Sequence, residues 1–585
     1  MLRTKEGEKI SQDDVLGEYP RPQFRRDSYL NLNGLWDFKV DLEDEAPDEY
    51  GGKILVPFAV ESELSGVNRR IGNDEYMHYR REFEIPEGFN KGRILLHIDA
   101  VDQVSDVIIN GMPIAHNEGG YNPIVVELSK LKPGKNVLQV EVRDDTDSEV
   151  YPRGKQVSQP GGVWYTPTSG IWQSVWLESV PKNYIESIKL TPSFKQKKLF
   201  VHASYTGSPS AIAMTCLSGG KPIKKIFLDT EGNGSLDLSD CFHPWSPEDP
   251  FLYDLKFEAG EDVVYSYFAM REFSFIEHKG HRVFALNGKP LFLTGVLDQG
   301  YYPDGGLTNP TDQALIDDIK MCKDMGFNMI RKHIKVEPLR WYYHCDRMGM
   351  IVIQDIMNGG RKYLKRYVNL RPFIPFNKDD ELEVNINKLG RGNPRSRAQF
   401  IKDMGRQVEL LYNCPCIAIW TLFNEGWGQF KTVTNWKLLK TMDPTRPIDA
   451  NSGWFDRGVG DFDSHHIYFH NIAKMKGDGK RTLSLTEFGG FTYKVAGHEW
   501  PKASFGYRFY KNEKAFTKAM VKLYEKKVKA AMDKSGLSIA VYTQLSDVEG
   551  EANGLITYDR RVLKIDPKIM KGLNDQLKFG EDDAA

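Results

Sequence analysis

Apolar and polar positions change rhythm twice along the chain. Residues 1–182 carry short alternating or apolar runs: Gly34–Val40, Tyr79–Ile85, Ile94–Ile98, Val104–Ile109, Asn136–Val142 and Ser174–Glu178. Turn residues separate them, such as Asn110-Gly111 and Lys132-Pro133-Gly134. Asn-Gly between two apolar runs predicts a hairpin, and many short strands without a long helical pattern predict a jelly-roll sandwich. Residues 183–275 repeat that grammar more briefly, with runs at Lys198–Ala203, Ala211–Met214 and Leu252–Phe257. An immunoglobulin-like sandwich fits this spacing.

From residue 276 to 585 the pattern alternates strand with helix. Leu291–Val296 reads as a strand. Asn309-Pro310 then opens a helix whose apolar face is Leu315, Ile319, Cys322 and Met325, ended by Gly326. Phe327–His333 is the next strand, and a helix through Trp341 to Met348 stops at Gly349. Met350–Asp355, Ile417–Glu425, Pro447–Asn451, Ser464–Tyr468, Leu483–Glu487 and Leu537–Gln544 continue the series, with helices near 431–442 and 513–533. Roughly eight strand–helix units predict a (β/α)8 barrel. The fold class is therefore multidomain, two β-sandwiches followed by an α/β barrel. Residues 358–397, a long and mainly basic stretch after the third strand, would overhang the barrel's C-terminal face.

Composition excludes several classes. Over 585 residues the formal charge is −2, which leaves no electrostatic footprint for nucleic acid. Mean hydropathy is −0.48, and no apolar run approaches the ~18 residues of a membrane span. The start, Met1-Leu-Arg-Thr-Lys, lacks the apolar core of a signal peptide. The 6 cysteines are scattered through apparent core elements, as buried thiols in a reducing compartment would be. A cytoplasmic protein is the expectation.

Two strand ends carry chemistry. Ile417-Ala-Ile-Trp-Thr-Leu-Phe-Asn-Glu425-Gly-Trp-Gly428 is an apolar run that ends in Asn424-Glu425 and a glycine turn. Arg481-Thr-Leu-Ser-Leu-Thr-Glu487-Phe-Gly-Gly490 has the same design. In a (β/α)8 barrel, that end of a strand is where catalytic residues stand. A carboxyl group beside tryptophans can be kept protonated by desolvation and donate a proton. Two acids on parallel strand ends suit retaining glycoside hydrolysis, which needs a separation of ~5–5.5 Å. The plainer roles for Glu425 are helix capping or a surface ion pair.

Several motifs together resemble glycoside hydrolase family 2, the β-galactosidase, β-glucuronidase and β-mannosidase family. In the first segment they are Leu30–Phe38, Val56-Pro-Phe58, Tyr79–Phe83 and Ser169–Leu177. In the barrel they are Asn287–Leu291, Gly326–Arg331, Cys345–Gly349, Phe423–Trp427 and Leu485–Gly489. The resemblance implies a jelly roll at 1–182, an immunoglobulin-like sandwich at 183–275 and a catalytic barrel at 276–585. It implies an exo-acting retaining β-glycosidase, β-galactosidase-like by default, with Glu425 as acid/base and Glu487 as nucleophile. By the same resemblance Asn424 holds the sugar 2-hydroxyl and Arg331 stands near the nucleophile. No cofactor and no metal are implied.

Other polar candidates follow from position. Asp463-Ser-His-His-Ile-Tyr468 resembles the family's strand with histidine and tyrosine near the nucleophile. Alternation sets His466 and Tyr468 on one face and His465 on the other, and leaves open which face is inward. His333 lies just past Arg331. Asp298, Gln299 and Tyr302 follow the first strand, where hydroxyl recognition is common, and Gln544, Asp547 and Glu549 follow the last. Trp427 and Trp454 are candidates to stack on a sugar face, although core packing is tryptophan's commoner fate.

This sequence departs from the best-known members. Leu297–Asp304 replaces the histidine-rich loop of β-galactosidases. Asn512-Glu-Lys514 has the letters of the Asn-x-Lys motif that binds glucuronate in β-glucuronidases, but opens an apparent helix. The barrel pattern runs to the chain's end, without the later domains of long β-galactosidases. Glucuronidase or another family specificity is therefore the alternative to galactoside hydrolysis.

Three readings from other classes compete. A metal-dependent hydrolase would need Asp463, His465 and His466, without any familiar ligand spacing. A Cys416 nucleophile inside an apolar strand would have its thiol pKa raised. A non-catalytic carbohydrate-binding protein fits two sandwiches but leaves two strand-end acids without a role. The expected partner is a carbohydrate, neither nucleic acid nor membrane. The large sandwich surfaces are compatible with a homodimer.

Overall fold

The computed structural model describes residues 2–207, 211–362, 376–501 and 505–580. The middle of the basic 358–397 stretch, residues 363–375, lies outside them.

A six-stranded antiparallel sheet (Gly52–Val56, Gly34–Asp41, Tyr76–Glu84, Lys135–Arg143, Val104–Ile109, Met112–Glu118, in spatial order) faces a four-stranded one. Trp36, Tyr79, Leu96, Val107 and Leu177 are buried between them. Asn110 and Gly111 have φ of 52° and 81°, the left-handed pair that a tight hairpin needs. They join Ile109 directly to Met112. A second sandwich pairs three strands starting at Ile185–Ser193 with four ending at Asp262–Phe268. The Arg26 guanidinium ties the two sandwiches, with both Asp262 oxygens at 2.8 Å and Glu178 at 3.1 Å. The change of rhythm read at residue 276 falls inside a strand, Phe273–His278, that forms a hairpin with His281–Leu286.

Eight parallel strands follow: Leu293–Asp298, Met329–Lys332, Ile351–Asp355, Ile417–Thr421, Ile448–Asp449, Phe462–Ile467, Thr482–Gly489 and Ile539–Thr543. Their spatial order is 5-4-3-2-1-8-7-6. The ring closes between the fifth and sixth through the Asp461 amide, which donates to the Ile448 carbonyl at 2.9 Å. Met329, Ile351, Ile353, Ile419, Phe462 and Val541 pack with Phe284 and Trp245 as one cluster, a filled interior plugged from one end by the hairpin. Period-2 alternation then sets Arg331 above Met329 and Asp355 above Ile353, at the opposite end.

Local details differ from the sequence expectation. The cap of the first barrel helix, Asp312–Asp324, is Thr311 and not Asn309, because the Thr311 hydroxyl accepts the Ala314 amide while Asn309 bonds the Thr311 carbonyl. The helix expected at 513–533 is Glu513–Leu523, then a π turn at Tyr524–Val528, then Lys529–Ser535. Asn512 caps its start, its Oδ1 accepting from the Ala515 amide at 2.9 Å. All 6 cysteines are free thiols, and burial drives the Cys416 thiol pKa far up. No helix of the described residues is long and apolar enough to cross a membrane.

Candidate active site

The fourth strand is buried throughout and runs on into Leu422 and Phe423. The chain there is held by Ser452, whose amide donates to the Phe423 carbonyl at 2.8 Å and whose carbonyl accepts the Glu425 amide at 3.0 Å. Glu425 itself sits at φ 51°, a left-handed conformation that costs a non-glycine residue ~1–3 kcal/mol. The next residue must be glycine, since a Cβ at Gly426 would lie 2.1 Å from the Phe455 ring. The turn thereby lifts the Glu425 side chain off the strand and toward the barrel axis.

The seventh strand makes a different local exception. Its register against the eighth slips between Leu485 and Phe488, and against the sixth at His465/His466. A bulge of this kind re-aims side chains. Thr486 is held by Ser464 at 2.6 Å and Ser452 at 2.9 Å, and its carbonyl accepts from Arg331 at 3.1 Å. Glu487, buried, follows it into the same space.

Arg331 organises the centre. Its guanidinium is fully buried and chelates both Asp355 oxygens at 3.0 and 3.1 Å. It also donates to Glu487 Oε1 at 3.3 Å and to Asn424 Oδ1 at 2.9 Å. Tyr468 donates to Glu487 Oε2 at 2.5 Å and stacks flat on Tyr507, centroids 3.6 Å apart. His466 Nδ1 lies 2.8 Å from Glu425 Oε1 and 3.6 Å from Glu487 Oε1, with its Nε2 against the Ser452 hydroxyl at 2.9 Å. The ring fits only because residue 453 is glycine, where a Cβ would approach His466 Cγ to 2.5 Å. One oxygen of Glu425, one nitrogen of His466 and one oxygen of Glu487 lie within 4.8 Å of one another.

Burial alone would raise the Glu487 pKa. The charges of His466 and Arg331 and the Tyr468 hydrogen bond outweigh it and hold the carboxyl below the ordinary glutamate value. Asp355 goes the other way: burial raises its pKa despite Arg331. Asp449, beneath the site, is pushed up to about 6 by burial, with Ser464 and Arg331 opposing. The result is one ionised carboxylate in a ring of fixed donors. Facing it is a second carboxyl, whose Oε1 lies 2.8 Å from His466 Nδ1.

The three clustered donor atoms would suit a divalent cation in number. The guanidinium already lying against Glu487 opposes a second cation there, and the His466 nitrogen that would bind it is engaged with Glu425. Acid–base and nucleophilic chemistry is what this arrangement favours.

Not all sequence candidates meet here. Asn424, Arg331, His466 and Tyr468 adjoin the carboxyl pair, and His465 turns away to Asp463 at 3.0 Å. Asp298 is engaged elsewhere: its oxygens take the Lys332 ammonium at 2.5 Å and the Gly300 amide at 2.9 Å, in a buried network with Glu337. Trp427 is 3% exposed and packs edge-on against Trp164 at 5.1 Å, so it offers no open face for a sugar. Trp454, 5% exposed, is likewise core. His333 and Gln544 are linked through Gln299, at 2.9 and 3.0 Å. Burial drives the His333 pKa far below its ordinary value, so this imidazole is neutral. Tyr302 donates to Asp318 at 3.2 Å, Lys564 pairs with Asp547 at 2.6 Å and Glu549 accepts the Thr166 amide at 2.9 Å.

Sequence reasoning missed Asp355, Ser452, Thr486 and Tyr507. Asp355 had a usable signal, an acid closing an apolar strand just as the two glutamates do. The others had none, since their roles arise from cross-strand contacts.

Residues 277–478 match the model described as glycosyl hydrolases family 2, TIM barrel domain. Residues 52–163 match the glycosyl hydrolase 2 galactose-binding domain-like model. The chain belongs to glycoside hydrolase family 2. It is 25% identical over 361 residues to a putative β-glucuronidase of Formosa agariphila, covering 59% of this chain and 39% of that one. It is also 25% identical over 417 residues to a Klebsiella pneumoniae β-galactosidase, covering 66% and 36%. The chain thus spans well under half the length of these curated relatives. A β-galacturonidase from Eisenbergiella tayi, solved with galacturonate, superposes at a TM-score of 0.70 with 20% identity, covering 97% of this chain and 100% of that one.

In this family member, Arg331→Met should remove one of the charges that keep Glu487 ionised and leave Asp355 buried without its partner. The cost of breaking such a buried pair is about 3–5 kcal/mol, readable in urea unfolding. The lowered carboxyl of Glu487 stabilises the fold above the unfolded glutamate pKa of ~4.3, and that contribution is lost as pH falls through the folded value. Without Arg331 the folded value rises. The acid limb of kcat/KM should therefore move to higher pH, and an unmoved limb would show that Arg331 does not set the Glu487 charge.

Proposed function

We propose that the protein is an exo-acting retaining β-glycosidase that hydrolyses terminal β-linked sugars by double displacement. One observation carries the reading: Glu425 and Glu487 present carboxyl oxygens within 4.8 Å of each other. That spacing fits the ~5–5.5 Å of retaining enzymes and not the ~6.5–9.5 Å that leaves room for an inverting water.

In the proposed cycle Glu487, ionised, attacks the anomeric carbon, and the bond from that carbon to the leaving oxygen breaks. Glu425 supplies the proton that the leaving oxygen takes up. The glycosyl ester on Glu487 is then cleaved by water, which Glu425, now a base, deprotonates. His466 Nδ1, 2.8 Å from Glu425 Oε1, positions that carboxyl for both tasks. Arg331 holds the Asn424 amide by its oxygen, which aims the amide NH2 at the sugar 2-hydroxyl, where hydrogen bonds strengthen at the transition state. Tyr468 fixes the attacking carboxylate and releases it as the ester forms.

The relatives' names, β-galactosidase and putative β-glucuronidase, make a galactoside the default substrate and a uronide its alternative. A cytoplasmic homodimer goes with this reading, and the free thiols support the reducing setting. The test is a panel of aryl β-glycosides followed by proton NMR. Release of the β-anomer first, insensitive to a chelator, supports the proposal. Release of the α-anomer would indicate inversion, and no turnover would favour a carbohydrate-binding protein.

A further inference from the structure

The wall of the candidate site is completed by a segment of the first sandwich, and it carries a cation that the mechanism above leaves without a task. Residues 152–166 lie along the ends of five neighbouring barrel strands. The Arg153 and Gly154 amides both donate to the Asn358 carbonyl at 3.0 Å, after the third strand. A Cβ at Gly154 would lie 2.7 Å from the Ile334 carbonyl, after the second, so the chain is pressed onto the barrel there. Tyr165 meets the Tyr301 ring at 5.0 Å, after the first, and donates to Glu551 at 2.6 Å, after the eighth. Trp164 leans on Trp427, after the fourth.

Lys155 stands on this strap next to the pressed glycine, half-buried. Its ammonium lies 5.4 Å from the centroid of the Trp164 ring. No carboxylate closes an ion pair on it among the described residues. Its chain neighbour Gly154 is pressed on the loop after the second strand and its ring neighbour Trp164 on the loop after the fourth, so the ammonium stands beside the mouth of the barrel. The other cation of the centre, Arg331, is fully committed to Asp355, Glu487 and Asn424. An ammonium held in place by an aromatic ring, with no carboxylate on it, is free to pair with an anion that a ligand brings.

We propose that Lys155 is a specificity residue that pairs with the carboxylate of a uronic acid at the end of the substrate. This rests on the glycosidase reading and names its substrate class: terminal β-uronides in preference to the matching neutral sugars. The shared chemistry is an anion on the sugar, so a sulfate ester is the competing source.

The test compares wild type, Lys155→Met and Lys155→Arg on p-nitrophenyl β-D-galacturonide, β-D-glucuronide, β-D-galactoside, β-D-glucoside and a 6-sulfated β-D-galactoside. Wild type is expected to favour a uronide. In Lys155→Met the uronide-to-galactoside ratio of kcat/KM should fall roughly 30- to 1000-fold, mostly through KM, and Lys155→Arg should restore part of it. Three results would overturn the assignment. Wild type could prefer a neutral sugar, or the sulfated galactoside over both uronides. Equal losses on uronide and galactoside, with a shifted acid limb, would mean that Lys155 only tunes Glu487. Calorimetry with free D-galacturonate, D-glucuronate and D-galactose keeps the two readings apart. If no glycoside is turned over, the glycosidase reading falls by itself. Uronate binding that Lys155→Met abolishes would then still support the cation's role, and its absence would refute it.

Discussion

Glu487→Gln is expected to lower kcat/KM on the preferred aryl β-glycoside by at least ~10⁴-fold, about 5.5 kcal/mol of transition-state stabilisation. The substitution keeps the side chain's volume and its contact with Tyr468 while removing the charge that attacks carbon. The fold should survive it. A neutral amide relieves the burial that Glu487 bears, at the expense of the Arg331 contact, and Asp355 still binds that guanidinium at 3.0 and 3.1 Å. Unfolding midpoint and activity should therefore separate. The chemical counterpart is trapping: a 2-deoxy-2-fluoro glycosyl fluoride of the accepted sugar should add one sugar mass to the wild type, on the peptide containing Glu487, and nothing to the glutamine variant. Labelling elsewhere, or a variant with more than a per cent of wild-type rate, would remove Glu487 from the nucleophile's role.

Much of this site could be read from the chain, for a simple reason. A barrel strand buried on all sides admits only apolar residues until it reaches the C-terminal face, so the first acid after an apolar run marks the rim. Glu425, Glu487 and Asp355 all carry that mark. Arg331 and Tyr468 follow from the same alternation, one continuing the column of Met329 and the other sharing a face with His466. What escaped was whatever depends on departure from alternation. The bulge at Thr486–Glu487 turns two successive residues inward, and the left-handed φ of Glu425 swings its carboxyl across the turn. Neither has a periodic signature. Asp298 misled for the converse reason: it closes its strand like the others, but the Lys332 ammonium takes one of its oxygens and the Gly300 amide the other, away from the carboxyl pair.

The first-sandwich strap escaped for a third reason, distance in sequence. Lys155 is 332 positions from Glu487, and no local pattern announces that Gly154 will be pressed against the second barrel strand's loop. Packing joins the two modules in this chain. Tyr121, Tyr165 and Trp172 of the first sandwich share one continuous core with barrel residues such as Trp341 and Trp420. A side wall supplied by another domain can change its charge without disturbing the strands that hold the carboxyl pair. The proposed specificity residue and the carboxyl pair thus stand on different segments of one packed core.

Glu425→Gly should give the second largest effect and one of a different kind. Loss of a general acid costs on the order of 10²–10⁴-fold, but only where the leaving group needs a proton. An alkyl or disaccharide glycoside should show the full loss in kcat/KM. A dinitrophenyl glycoside, whose phenolate leaves unaided, should form the glycosyl-enzyme at close to the normal rate and then stall, because no base activates water. A burst of dinitrophenolate followed by a slow phase is the expected trace. Azide, a nucleophile that needs no base, should restore turnover and yield the β-glycosyl azide. Glycine is the right replacement because Glu425 sits at φ 51°, which glycine adopts without strain. The variant should therefore unfold no earlier than wild type, even as it loses activity, and a failure of azide to rescue it would mean that Glu425 is not the acid/base. An α-azide product would mean that the retaining geometry itself is wrong.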